Sequence, residues 1–466
     1  MSSLALEDIQ GFIMRSYAMP ALRVFVLKVE HAILAGRFLG ALVSGDSSVP
    51  RLTTAVPWVE KPDVCVNIGF THAGLAALGL AGDGLASFPE EFAQGAVSRA
   101  ARIGDVGSSA PELWKKPLAD ADVHALLFVF AQTEAALETA SDRLRAQFAP
   151  GPAFSELAVL EGRGLSGNVG HFGYRDGFSQ PAIEGGPPPV VPDLLPTAPP
   201  GEFLLGYQSQ YDRFTYPMPQ PETLGRNGSF VAFRVLEQDC AAYERFLTGA
   251  SAQTGLDREL VAAKLCGRWR NGVPLSLSPT TPNADLSPEQ FNAFDYAPTE
   301  QLPDAYDDRR GDRCPIGAHI RRMNPRHSMV AGNSGLKRRI VRRGLPYGPP
   351  FDPDNPDDGV ERGLLGLFIG VSLKDQFEFL MSDWANKGTF APGLRGTRDP
   401  VLGDNSSSDA KFLLPVAGAP TVEITGLSRF VTCRGAAYCF LPSVTALSFL
   451  SGIAAGPDVP NLEVRT

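Results

Sequence analysis

Seven prolines fall within the fourteen residues from Pro187 to Pro200. Proline lacks a backbone N–H and fixes φ, so neither a helix nor a central strand can run through such a stretch. The chain must build structure on either side of it and pass between them by a surface linker or excursion of polyproline character. At 466 residues the chain is also too long for one ordinary core. The expected division is a domain over 1–184, a linker over 185–200 and a second domain over 201–466.

The pattern on both sides alternates strand and helix. Arg23–Val29 is rich in strand-forming residues, and the run from His31 to about Val43 is amphipathic at helical spacing. Val64–Phe70 and Val123–Ala131 predict further strands, and Thr133–Phe148 predicts a helix with apolar positions at Ala136, Leu137, Ala140 and Leu144. Ser87-x-x-Glu90 reads as a capping box opening a short helix near Pro89. Beyond the prolines the order recurs loosely: strand at Phe230–Leu236, helices at Ala241–Leu247 and Leu256–Trp269, strand at Leu364–Leu373, helix at Asp375–Trp384. A late strand at Tyr438–Leu441 precedes a short C-terminal helix. Ser287-Pro288-Glu289-Gln290 combines a capping box with proline at the first helical position. The fold class this implies is α+β, with antiparallel sheets and peripheral helices in ferredoxin-like units.

Composition excludes several partners. The 42 basic and 51 acidic residues give a net charge of −9 and no basic block, which argues against nucleic acid and anionic membrane surfaces. No stretch approaches 18 apolar residues, so no membrane span is expected. The six cysteines include no C-x-x-C, and Cys433 and Cys439 sit too far apart on one strand to bridge, which suits reduced thiols. The N-terminus shows no basic and apolar leader pattern, so a cytoplasmic location is expected, with a mature secreted form left open.

Three segments carry the chemistry. In Gly170-His-Phe-Gly-Tyr-Arg-Asp176-Gly-Phe-Ser-Gln-Pro181, glycines flank a carboxylate and suit a tight turn presenting it into a cavity. Alone, such a run is as compatible with a carboxylate that caps its own turn. Cys314-Pro-Ile-Gly-Ala-His319-Ile-Arg-Arg-Met-Asn-Pro-Arg326 and Arg339-Ile-Val-Arg342-Arg-Gly344 are the other two. In this order the three resemble the motifs of the dye-decolourising peroxidases. Weaker echoes, at Asn67-Ile-Gly-Phe-Thr71 and Gly435-Ala-Ala-Tyr438, extend the resemblance over most of the chain.

The resemblance implies two ferredoxin-like domains of the dimeric α+β barrel type and a haem b cofactor (iron protoporphyrin IX). It implies His319 as the ligand to iron, an acidic partner for that histidine (Asp399, with Asp404 as rival), and Arg326 beside a haem propionate. It gives Asp176 as acid/base and Arg342 as its electrostatic partner. A carboxylate base stays unprotonated in acid where an imidazole is already charged. The partners implied are hydrogen peroxide and small or bulky organic reductants, oxidised in one-electron steps. Leu364 falls where the family has an apolar distal residue; Gly366 stands where many members have phenylalanine, leaving either Phe368 as a substitute or a roomier pocket. Tyr347 and Trp384 match positions at which some members pass electrons to bulky substrates at the surface. A haem carrier or storage protein, and another haem reaction such as peroxygenation or deferrochelation, are the alternatives.

Other patterns lead nowhere. Gly162-Arg-Gly164-Leu-Ser-Gly167 is a literal G-x-G-x-x-G, but a dinucleotide site needs a helix opening at its third glycine, and the glycines that follow forbid one. Cys314 and His319 lack a second ligand pair for zinc. The remaining histidines have no motif around them, although His171, five residues before Asp176, could line the same cavity.

Overall fold

The computed structural model describes residues 4–45, 49–148, 153–188, 195–211, 214–282, 285–300, 302–327, 335–416 and 418–455. Four strands of the first half, β1 (Ala21–Val29), β2 (Val64–Phe70), β3 (Ala125–Ala131) and β4 (Phe154–Arg163), pair in the order β4-β1-β3-β2. Four of the second half, β5 (Ser229–Gln238), β6 (Val341–Tyr347), β7 (Gly363–Gly370) and β10 (Val431–Leu441), pair in the order β10-β5-β7-β6. Renumbered within each half, both orders are 4-1-3-2, the ferredoxin-like arrangement, and every ladder in this sheet is antiparallel. Strands β8 (Lys411–Val416) and β9 (Ala419–Thr425) form a separate hairpin.

The two halves join edge to edge where β2 meets β10, through the pair Phe70 and Phe440. Gln10, fully buried, staples that seam: its Nε2 donates to the carbonyls of Ile68 (2.8 Å) and Pro442 (2.9 Å), and its Oε1 accepts the Ile68 N–H (2.9 Å). At the far edges β4 approaches β6, so that a β-carbon added at Gly162 would lie 2.9 Å from Leu345 Cβ. The sheet therefore curls on itself. Its inner face buries Leu22, Val24, Val26, Phe128, Phe233, Leu365 and Leu367 around Phe12 and Ile13 of the N-terminal segment.

Helices cover the outer face. In the first half, α1 (Ala32–Ser44), α2 (Glu90–Arg99) and α3 (Glu134–Phe148) lie against it. Leu137, Ala140, Leu144 and Phe148 of α3 recur on one helical stripe and are buried, with an acidic residue in the first turn and Arg145 in the last to suit the helix dipole. In the second half come α4 (Cys240–Thr254) and α5 (Arg258–Cys266), both N-capped by aspartate, then α6 (His319–Met323) and α7 (Val444–Ala455). The predicted Asp375–Trp384 helix is present over Leu373–Glu378 and Leu380–Ala385 but winds as a π-helix.

Some expectations fail. Ser87 does not cap α2; its hydroxyl donates to the Gly84 carbonyl and accepts from the Gln220 N–H, closing the preceding turn instead. Strands β4, β6, β8 and β9 are not among the predicted ones: β6 and β8 carry no clear period-2 pattern, whereas β9 alternates polar and apolar residues over Thr421–Thr425. In the proline-rich stretch, residues 189–194 lie outside the described residues. The part that follows is no simple surface linker, since Leu195 and Ala198 are buried and Ala198 bonds back to Ala182 and Glu184. After β4, Ser166–Asn168 makes only a short turn, so no dinucleotide helix follows Gly167. The six cysteines are buried and unbridged, and no helix among the described residues is long and apolar enough to cross a membrane.

Candidate active site

One cavity of about 390 Å³ opens between the outer face of the second half-sheet and its helical cover. Asp176, His319, Arg326, Arg342 and Leu364 all line it. They reach it from separate segments of the chain.

His319 is the first residue of α6, which starts just past the Pro315 turn. Its Nδ1 lies 2.9 Å from Asp399 Oδ2, and Asp399 is wholly buried. The other carboxylate oxygen accepts the N–H groups of Val401 (2.9 Å) and Leu402 (2.8 Å). Burial alone would raise the Asp399 pKa, but the His319 ring and these backbone donors hold it below the usual carboxylate range. A carboxylate in that state only accepts, so Nδ1 carries a proton, and the neutral tautomer this favours would present the Nε2 lone pair to the cavity. Of the two acidic candidates, Asp399 is the partner; Asp404 pairs with Arg429 and Ser406.

Arg326 has a left-handed backbone (φ 52°), unusual for a residue with a side chain. Its Nη1 donates to the Phe294 carbonyl (2.9 Å), and its guanidinium carbon sits 4.0 Å from the Phe294 ring centre.

Asp176 lies in a turn folded on itself. The Asp176 N–H donates to Asn168 O (2.9 Å), Asn168 Nδ2 donates to Asp176 O (2.8 Å), and Asp176 Oδ1 accepts the Gly177 N–H (2.7 Å). Gly173 and Gly177 both have φ above 80°, which the turn requires and a side chain would resist. The segment is clamped to β6: Arg342 Nη2 donates to Ser179 O (2.9 Å), and its backbone N–H donates to Gln180 Oε1 (3.1 Å).

On β7, Leu364, Gly366 and Phe368 share the cavity face. A β-carbon at Gly366 would come within 2.8 Å of Phe368 Cε2, so the Phe368 ring occupies the space above the glycine, where it stacks on Phe377 at 5.5 Å. Phe368 thus fills the gap that Gly366 leaves.

Three expected residues stand elsewhere. Trp384 is only 1 % exposed and cannot be a surface contact for bulky substrates. Its indole packs against Phe379 and Phe390, and its carbonyl holds Arg322 at 2.9 Å. Tyr347, at the end of β6, is half-exposed; its hydroxyl donates to Glu361 (2.8 Å), and burial together with that carboxylate raises its pKa. His171 is buried outside the cavity lining, its Nε2 donating to the Tyr347 carbonyl (2.8 Å), and burial lowers its pKa.

Sequence reasoning missed Arg234, which lines the cavity from β5 and pairs with buried Asp105 at 2.6 Å. The available signal was a lone charge in the apolar run Ser229–Leu236. Ser179 and Gln180 were inside a quoted motif, but nothing in their types indicated that they clamp Arg342.

The donor set suits an iron porphyrin. One wall offers an imidazole nitrogen fixed for ligation, arginines suit carboxylate side groups, and Leu364, Phe368 and Phe377 give apolar surface to a flat macrocycle. Among the described residues no cluster of three or more metal-binding side chains offers an alternative metal centre.

Known proteins resemble this chain along nearly its whole length. Residues 52–164 match a family described as the DyP dimeric alpha+beta barrel domain. Peroxidase 2 of Mycetinis scorodonius is 28 % identical, over 95 % of this chain and 87 % of its own length. The multifunctional dye peroxidase DyP2 of an Amycolatopsis species is 29 % identical, over 96 % of both. Among solved structures, a fungal DyP-type peroxidase from Auricularia auricula-judae superposes with a TM-score of 0.81 at 26 % identity, covering 97 % of this chain and 100 % of its own. A dye-decolorizing peroxidase in complex with 2,6-dimethoxyphenol gives a TM-score of 0.79 at 27 % identity, with 97 % and 100 % covered.

Proposed function

We infer that this chain, similar along nearly its whole length to dye-decolorizing peroxidases, is a haem peroxidase of that family, using hydrogen peroxide to oxidise organic reductants such as dyes and phenols. The observation that carries the reading is the single cavity shared by His319, Asp176 and Arg342.

When bound, haem b would supply the redox-active iron at which peroxide is reduced and from which organic substrates are oxidised one electron at a time. His319 would hold it through Nε2, with Asp399 fixing the ring and raising its basicity. Arg326 is suited to a propionate, since a planar guanidinium matches a carboxylate in two hydrogen bonds. Asp176 acts on the proton. With Oδ1 engaged by the Gly177 N–H, Oδ2 takes a proton from one peroxide oxygen and returns it to the departing one. Arg342 provides a fixed positive charge where negative charge develops across the O–O bond. The Ser179 carbonyl holds that guanidinium in place, so little reorganisation accompanies the reaction. Leu364 and Phe368 present apolar surface to the cavity.

Purified haem-replete protein tests this directly. The expected result is a Soret band together with peroxide-dependent oxidation of a dye and of 2,6-dimethoxyphenol. A Soret band without turnover would make the chain a haem carrier, and absence of both would overturn the reading.

A further inference from the structure

Strand β6 carries two arginines side by side, and alternation sends them to opposite faces. Arg342 lines the cavity. Arg343 turns inward with Val341 and Leu345, towards the apolar interior of the curled sheet. There its Nε donates to the carbonyl of Phe12 (2.8 Å), and its Nη1 donates to Arg342 O (3.1 Å) and Gln180 Oε1 (3.4 Å). No carboxylate pairs with it among the described residues. Burial lowers its pKa to about 10, with Tyr17 partly offsetting the effect. Arg343 is half-buried, and a partly desolvated cation without a counter-charge adds little to stability where hydrocarbon could pack as well. The fold alone therefore gives no reason for an arginine here.

Its hydrogen bonds give one. Gln180 Oε1 accepts from both Arg343 and the backbone N–H of Arg342, while Ser179 O accepts from the Arg342 guanidinium. Gln180 is four residues from Asp176 in the same segment. At its other end Arg343 grips Phe12, in the N-terminal segment packed inside the sheet. We propose that Arg343 is a positioning residue which, by tying Phe12 to Gln180, fixes the Asp176 segment against β6 and so sets Asp176 relative to Arg342. The inference rests on the reading of that pair as the peroxide-activating groups. Arg343 touches no substrate; it acts through Gln180.

The test compares haem-replete wild-type protein with Arg343→Met, Arg343→Lys and Asp176→Asn. Haem content, melting temperature, stopped-flow rate with peroxide and amide hydrogen exchange are measured for each. Arg343→Met is expected to keep its haem and melt no lower than wild type. It should nevertheless react with peroxide about 10- to 100-fold more slowly, the cost of a small misplacement. Exchange should quicken in peptides covering 170–181 and stay unchanged in those covering Ala125–Ala131. Arg343→Lys should recover part of the rate, because an ammonium can still reach the Phe12 carbonyl but lacks the fork that also reaches Gln180. A wild-type peroxide rate in Arg343→Met, with Asp176→Asn impaired, overturns the positioning role alone. Slowing that merely follows a lowered melting temperature, with faster exchange throughout the sheet, also overturns it and leaves an ordinary structural residue. A wild-type rate in Asp176→Asn overturns this inference and the reading beneath it together.

Discussion

The two halves of the sheet share one strand order but differ in what lies on their outer faces. On the first half, α3 sits directly on the strands, and Phe25, Phe38, Phe148 and Phe154 interlock with ring centres 5.4–6.0 Å apart. On the second half, the corresponding crossover between β7 and β10 is the π-helical segment Leu373–Ala385, and α6 stands beside it. The strands below present Arg342, Gly366, Phe368 and Arg234 in place of a continuous apolar surface. Each half also buries an arginine on its first strand. Arg23 is satisfied by Glu138, Glu161 and Ser141, whereas Arg234 pairs with Asp105 and lies over the Phe377 ring. The same topology thus gives a closed core when its cover is apolar and close, and a cavity when the cover is displaced and the floor is polar and glycine-bearing.

That contrast can be broken by substitution. The largest effect is expected at His319. His319→Ala should lose most bound haem, measured by Soret absorbance per protein, while the fold persists because the residue is not part of an apolar core. Normal haem content and spectrum in that variant would move the ligand elsewhere. Next in size, Phe38→Ala in the first half should cost about 3–5 kcal/mol of stability by denaturant titration, as buried phenylalanines do. Protein that remains folded should keep its peroxide rate; a change in that rate would mean that the halves are not separable. Arg342→Leu should reverse the pattern, slowing the reaction with peroxide by about 10²–10³-fold with little change in stability. The smallest effect is expected at Tyr347. Tyr347→Phe should slow a bulky anthraquinone dye while sparing a small phenol able to enter the cavity, and equal losses on both would make the tyrosine structural.

Legibility in the sequence was greatest where a strand carries an apolar run, and it failed for β4 and β6, one in each half. The strands of the first half carry runs such as Val64–Phe70, and the structure has that strand with the same ends. Strand β6 was invisible because its sequence, Val-Arg-Arg-Gly-Leu-Pro-Tyr, sacrifices strand pattern to the two arginines and to a glycine whose absent side chain lets Leu365 O come close. Resemblance in the motifs brought out residues that meet in one cavity, and it named Asp399, with Asp404 as rival, for the partner of His319. Choosing between them needed the fold, since both are aspartates in one loop and only contact distinguishes them. Trp384 shows the opposite limit, because its surface role came from the resemblance alone, and the π-helix turns the indole inward. Arg343 was one of several adjacent arginines, and nothing local separated the one facing the cavity from the one facing the core.

The central claim is that the cavity on the second half-sheet activates peroxide through the Asp176 carboxylate, which reaches it from the segment that follows β4. Asp176→Asn keeps the shape of the turn, and its Oδ1 can still accept from Gly177, but it removes the base. Stopped-flow mixing of the haem-replete variant with hydrogen peroxide measures the step directly. The rate of the first spectral change should fall by about 10²–10⁴-fold, with haem content and melting temperature unchanged. A wild-type rate would contradict the account, leaving Asp176 a residue that only caps its own turn.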